Sequence, residues 1–260
     1  MRFLVPIDYS NSAIHALKYA IGLANDLNAE LYLVHVYQTI SRSDSLVSLD
    51  EILNSDHHQK LTDILATTFP EAKTIVEKVV LKGDPANAIF RLATGKEVDL
   101  IILGAQGESA DPDITYGSTV GGLIKASNIP LLIIPQTAEL QSPRNFLFAF
   151  RKLDQSAPDI LKPLKNLALS LNAKVRTLHV TVTVEDEEAL SSQAMLGEVW
   201  AGAKELTNGE LPSGVAKSGE IYDVLCMIKR NRGFFEKIFT SSRFTKADVD
   251  VKTPFLLLPE

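Results

Sequence analysis

The chain has 260 residues, 45% of them hydrophobic and 22% charged, with a formal net charge of -6 and a sequence pI of about 5.5. That length holds one large domain or two ordinary ones, and the acidic balance excludes a general nucleic-acid binder, which needs basic patches. The one cysteine, Cys226, excludes an intramolecular disulfide and a cysteine-rich zinc site. Apolar runs such as Pro130 to Pro135 fall far below the ~20 residues of a membrane helix, and the apolar run ending at Asp8 is too short for a signal-peptide core. A reducing, cytoplasmic setting is expected.

Phe3 to Ile7 reads as a buried strand. Ser10 can cap the helix that follows, its hydroxyl accepting from a free amide of the first turn. Ile14, Leu17, Ile21 and Ala24 recur at helical spacing, and Asn28 suits the exit. Glu30 to Val36 is a second strand, Ser41 to Ser48 a serine-rich loop, and Leu49 to Thr67 a helix with Ile52, Leu61 and Leu65 as buried candidates. Ile75 to Leu81 is a third strand. Pro85, after Gly83-Asp84, suits the first position of a helix whose inner face carries Ile89, Leu92 and Ala93. Val98 to Leu103 is a fourth strand, apolar enough for burial on both faces. Ser118 to Ala126 is a helix and Leu131 to Ile134 a fifth strand. Alternating strands and helices predict parallel sheets with helices on both faces.

The second half repeats the first. Phe3 leads to Leu27-Asn28-Ala29-Glu30 and Leu33-Val34-His35-Val36; Phe146 leads to Leu171-Asn172-Ala173-Lys174 and Thr177-Leu178-His179-Val180. The spacings are 28 − 3 = 25 and 172 − 146 = 26. Ile129 to Pro135 matches Thr253 to Pro259. This order predicts an internal duplication, with domains at 1–137 and 143–260 and a linker within Gln136 to Arg144. Taking Gly219 as the counterpart of Gly83, the interval to the closing proline is 47 positions in one half (Gly83 to Pro130) and 35 in the other (Gly219 to Pro254). On that reckoning the second copy is degenerate. It runs from a helix around Tyr222 to Lys229 into Arg232 to Ile238, without a fourth strand or glycine loop, and Arg151 or Lys152 replaces Asp8.

The chemistry concentrates in Gly104-Ala-Gln-Gly107, then nine residues, then Gly117-Ser118-Thr119. Ligands of open parallel sheets sit at the carboxyl ends of strands. Glycines there allow close backbone approach and positive φ, and the amides of Ser118 and Thr119, at a helix N-terminus, favour an anion. The alternative is glycines serving tight turns alone.

Gly-x2-Gly-x9-Gly-Ser/Thr resembles the ATP-binding signature of the universal stress protein family. The resemblance extends through Pro6-Ile7-Asp8 with Ser10, His35-Val36, Gly83-Asp84-Pro85 and the strand ending at Gly104. The duplication is similar to the tandem members of that family. The resemblance implies two doubly wound units of the adenine nucleotide alpha hydrolase type, and a site binding ATP, ADP or AMP. In that site Val36 faces the adenine edge, Pro6 and Ile7 flank the base or ribose, and Asp8 meets the ribose or a bound Mg2+. Gly104, Gly107, Gly117, Ser118 and Thr119 hold the phosphates. It also implies pairing between Leu131–Ile134 and Phe255–Leu258 within one chain, which would cover two apolar edges, or a homodimer. The insert carries Glu108, Asp111 and Asp113 and no basic residue. Either Mg2+ bridges, or the ligand has fewer phosphates, or the loop swings away, or the acids are merely solvated.

Three functions stay open: a nucleotide-binding stress-response regulator without dedicated catalysis, a slow ATP-hydrolysing enzyme with Asp8 or His35 as candidate base, and a ligand-free interaction module. Gly95-Lys96-Glu97 is not a Walker A end, and neither a Gly-x-Ser-x-Gly elbow nor a His-Glu-x-x-His pair occurs. His57-His58 read as a solvated helix surface, His35 and His179 as strand-end histidines bonded locally. Phe234, Phe235, Ile238 and Phe239 read as a helix packed on the sheet or an exposed partner surface, and Trp200 as core.

Overall fold

The computed structural model describes residues 1–38, 46–69, 74, 76–106, 117–150, 153–179, 205–206, 222–229 and 253–260, with 46–49, 179 and 205–206 described by backbone alone. The chain divides into two compact units, Met1–Ser142 and Pro143–Glu260.

The first unit contains β1 (Arg2–Pro6), α1 (Asn11–Leu27), β2 (Glu30–Tyr37), α2 (Leu46–Thr68), β3 (Val76–Lys82), α3 (Pro85–Gly95), β4 (Leu100–Gly104), α4 (Ser118–Ala126) and β5 (Leu131–Ile134). Its strands lie in the order β3-β2-β1-β4-β5, all parallel. Local chemistry sets the joints. Ser10 caps α1 by accepting from the Ala13 amide, and Asn28 ends it in the left-handed region at φ 49°, which asparagine tolerates better than most residues. Asp84 caps α3 through the Asn87 amide and Pro85 opens it. The core is the sheet itself: all five residues of β4 and all four of β5 are buried, as strands covered on both faces must be. α1 covers them with Ala16, Leu17, Ala20 and Ala24, each fully buried.

Three expectations in this unit need correction. Helix α2 begins at Leu46, so the serine-rich stretch does not reach Ser48. Ile52 is 56% exposed, while Leu61 is fully buried. Leu65 is half-buried.

The second unit contains β6 (Asn145–Phe150), α5 (Ala157–Ser170), β7 (Lys174–His179), β8 (Glu205–Leu206), β9 (Val224–Lys229) and β10 (Phe255–Pro259). The order is β8-β7-β6-β9-β10, again all parallel. It reproduces the first unit strand for strand. Tyr222 to Lys229 is therefore not a helix, and the fourth strand is not missing. β9 pairs Phe146 with Val224 as β4 pairs Phe3 with Leu100. From the start of that strand to the closing proline both units span the same interval, 130 − 100 = 30 and 254 − 224 = 30. The shortfall counted from Gly219 lies upstream of β9. The loop interval is conserved in length while its glycines are replaced in sequence: Ile228, Asn231 and Ser241 stand where the first unit has Gly104, Gly107 and Gly117.

The aspartate after the first strand has not been lost either. In the first unit Asp8 Oδ1 accepts from Ser10 N at 3.1 Å and Ser10 Oγ at 2.6 Å. In the second, Asp154 Oδ1 accepts from Ser156 N at 2.9 Å and from the Ser156 hydroxyl. Arg151 and Lys152 lie outside the described residues. Three residues are added between strand and turn and two removed before the helix exit, which gives the net shift of one. A second matched pair is Asp99 and Asp223. Asp99 accepts from the Arg2 amide at 2.8 Å; Asp223 accepts from the amides of Arg144 at 2.7 Å and Asn145 at 2.8 Å. Phe234, Phe235, Ile238, Phe239 and Trp200 fall outside the described residues.

Candidate functional site

The first unit's strand order reverses between β1 and β4: the chain leaves β1 towards β2 and leaves β4 towards β5. Their carboxyl ends thus border the crevice in which open α/β sheets take ligands. Pro6, Ile7 and Asp8 stand at the end of β1, Val36 near the end of β2, and Gly104 at the end of β4. Gly117, Ser118 and Thr119 open α4. All sit at the carboxyl edge. Gly107 lies outside the described residues, as do Glu108, Asp111 and Asp113.

Hydrogen bonds fix this edge. Ile7 N donates to Val34 O at 2.8 Å, holding the chain in register past the end of β1. Ala105 N donates to Ile134 O and Gly117 N to Ala105 O, both at 3.1 Å. That second bond joins the two ends of the glycine segment and brings the start of α4 beside β4. Gly117 is the N-cap, and α4 has no side-chain cap hydrogen bond. The first amides of a helix lack intrahelical acceptors, so Ser118 and Thr119 present N–H groups and a positive helix end towards the crevice.

Neither glycine is required by a positive φ. Gly117 has φ −65°, and Gly83 is the glycine with a positive value among the described residues. Gly104 is required by contact. A Cβ there would lie 2.5 Å from Ser12 Oγ and 2.7 Å from Ser12 O. The first turn of α1 therefore lies directly against the end of β4, with Gln106 N donating to Ser12 Oγ at 3.4 Å. Sequence reasoning missed Ser12, a buried polar residue. Its signal was a small residue two positions after the cap, which is weak alone.

Beside Asp8 the edge carries rings. Tyr9 sits in the left-handed region at φ 67°, a strained conformation for a bulky residue. Its ring centroid is 4.6 Å from that of His35, and its hydroxyl is 3.3 Å from Nδ1 of His57. His35 is buried as a strand histidine bonded locally, donating from Nδ1 to the Ile7 carbonyl at 2.8 Å, which leaves the proton on Nδ1 in its neutral form. His57 lies tilted against His35 and stacks on Tyr37, with centroids at 4.2 and 5.4 Å; it is not a solvated surface residue. Burial pushes the Tyr9 pKa up to about 12. It also lowers those of His35 and His57.

Among the described residues no group of three His, Cys, Asp or Glu side chains is placed to hold a metal. Among them too, no helix is long and apolar enough to cross a membrane.

Fold and edge together define a class: doubly wound parallel α/β proteins with a glycine-bounded helix N-terminus at the switch point. A family model described as the universal stress protein family matches residues 1–135, and the chain belongs to that family. A universal stress protein of Methanocaldococcus jannaschii is 27% identical over 138 residues, 51% of this chain and 81% of that protein. One from Bacillus subtilis is 29% identical over 144 residues, 51% of this chain and 97% of its own. Across the whole chain the fold is that of a universal stress protein from Archaeoglobus fulgidus. Its TM-score is 0.71 at 19% identity, covering 100% of this chain and 96% of that one.

Proposed function

We propose that the first unit binds an adenine nucleotide at its carboxyl edge and serves a regulatory, stress-response role without dedicated catalysis. The observation that carries this reading is the uncapped start of α4, tied by the Gly117–Ala105 hydrogen bond to the end of β4. Free amides and a helix dipole aimed into a switch-point crevice form an anion site. In this reading Gly104, Gly107, Gly117, Ser118 and Thr119 line the phosphates, Val36 faces the base edge, and Pro6 and Ile7 flank base or ribose. Asp8 meets the ribose or a Mg2+ ion. Such an ion would be held mainly by phosphate oxygens and water, as Mg2+ commonly is, with Asp8 as one protein ligand. When bound, it would offset the repulsion between phosphates and the insert acids.

The second unit, which has Ile228, Asn231 and Ser241 where the first has Gly104, Gly107 and Gly117, would serve as a built-in partner. The domains at 1–137 and 143–260, their pairing through the closing strands, and a cytoplasmic setting belong to the same proposal.

Calorimetry with ATP, ADP and AMP, each with and without Mg2+, tests it. Saturable heat is expected with at least one of them. Gly117→Val, which puts a branched side chain where phosphate would lie, should abolish that heat; because valine is a poor N-cap at this half-buried position, its Tm should also fall by about 2–4 °C, with far-UV circular dichroism checking that the variant is folded at the assay temperature. No heat with any nucleotide overturns the reading.

A further inference from the structure

Helix α2 is thinly anchored. Of its described side chains Leu61 alone is fully buried, whereas α1 buries nine residues. Leu53, Ile64 and Leu65 of α2 are half-buried, and its other described attachments are polar or aromatic. Register puts Leu33, His35 and Tyr37 of β2 opposite Lys78, Val80 and Lys82 of β3, so these six share one face of the sheet. Helix α2 lies on that face. Lys78 Nζ donates to Thr62 Oγ1 at 2.8 Å, Lys82 pairs with Asp50 at 2.6 Å, and His57 packs among His35, Tyr9 and Tyr37.

The centre of this seat is two imidazoles in contact, their centroids 4.2 Å apart and their planes at 35°. His35 donates from Nδ1 to a main-chain carbonyl. Tyr9 keeps its proton throughout the neutral range, so its hydroxyl can donate to Nδ1 of His57. Charged groups face the pair from each packed element. The end of β1 supplies Asp8, and α2 supplies Asp56 and Lys60, with Lys60 Nζ 5.9 Å from the Tyr9 ring centroid. Strand β3 supplies Lys78 and Lys82, already engaged by Thr62 and Asp50. Protons on both rings would place two like charges at contact distance beside Lys60, opposed by Asp56 and by an Asp8 that also holds Ser10.

We propose that the His35–His57 pair is a proton-operated latch: neutral imidazoles hold α2 against β2 and β3, and protonation releases α2 from the carboxyl edge next to Asp8.

The electrostatics agree with this geometry. His35 is lowered from its ordinary value first by burial, against which its bond to Ile7 and the charge of Asp8 act; Lys60 lowers it further. His57 is lowered by burial, then by His35 and Lys60, while Asp56 raises it. Both seated rings thus titrate below the free value of 6.5. The released state binds more protons as pH falls through the window between those values. The seat's stabilisation is therefore complete above the free value and is lost as pH falls towards the seated values. Each proton taken up raises the release constant by up to about tenfold per pH unit, and two by up to about a hundredfold.

Hydrogen exchange by mass spectrometry on the full chain without ligand, corrected for intrinsic rates at about pH 7.5 and about pH 5.5, reads the latch directly and is independent of any nucleotide. The expected result is a loss of protection of about tenfold or more across α2, with α1 changed by less than about twofold. His57→Phe keeps an aromatic ring in the seat and cannot titrate, so with His35 alone left to take up a proton the pH response of its α2 protection should be clearly smaller than in the natural chain. Should that variant not fold, assigned NMR titrations of the two imidazoles in the natural chain decide, with midpoints below 6.5 expected. Equal behaviour of α1 and α2, an undiminished pH response in His57→Phe, or a ring titrating at or above 6.5 overturns the proposal.

Discussion

Replacing Gly104 by alanine tests whether the close approach of α1 to the end of β4 shapes the carboxyl edge. The added Cβ would meet Ser12 Oγ at 2.5 Å, Ser12 O at 2.7 Å and Ser12 C at 2.8 Å. Ordinary contact begins at 3.4 Å, so the carbonyl oxygen alone must retreat by 3.4 − 2.7 = 0.7 Å. Two of the three atoms are main chain in the first turn of α1, and no rotamer change relieves them. The helix start must move as a body, together with the Asp8–Ser10 turn. Overpacking of this kind costs typically 1–3 kcal/mol, and a backbone clash belongs at the top of that range, about 3 kcal/mol. For a unit of this size that is a fall of roughly 6–12 °C in Tm, measurable by far-UV circular dichroism. Ser12→Ala in the same chain removes the Oγ contact but not the carbonyl contact, so the double variant should recover less than half of the loss. A Tm within about 2 °C of the natural chain would refute the close approach.

Two further outcomes follow from the second unit. Cys226 is fully buried and its thiol is pushed well above its ordinary value by burial, so a thiol reagent should label it only in denaturant; rapid stoichiometric labelling of the native chain would contradict the placement of β9. Asp223→Ala removes an acceptor shared by two amides and should cost about 1–2 kcal/mol in urea unfolding, after allowance for partial exposure. Asp99→Ala, which frees one exposed amide, should cost less, and equal losses would sink the comparison.

What the sequence discloses here is local. Ser10, Asn28 and Pro85 announce helix ends because capping and φ preferences act within a few residues. Leu100 to Gly104 announces a central strand because both faces are apolar. Val224 to Lys229 misleads because a short apolar run with neither alternation nor a clear helical period suits a buried strand and a helix segment alike. Anchoring the comparison on Gly219 compounded the error, since the counterpart of Gly83 is not fixed by residue type; Asp99 and Asp223 would have given the right register. Other features were hidden because they are long-range. Gly104 reads as a phosphate glycine, and its conflict with Ser12 depends on a contact across 92 positions. His57 reads as surface because its partners, Tyr9 and His35, are remote in sequence.

In both units the central strand pair joins the most distant stretches: Phe3 meets Leu100 and Phe146 meets Val224. The flanking pairs β1–β2 and β6–β7 are far more local. Loop-closure entropy rises with sequence separation, so the middle pairing of each sheet carries the largest closure cost. In the first unit, that pairing also brings Asp8 and Gly104 to a common edge. The proposed site is thus assembled from stretches almost a hundred positions apart, and a fragment ending before β4 would lack one of its two sides.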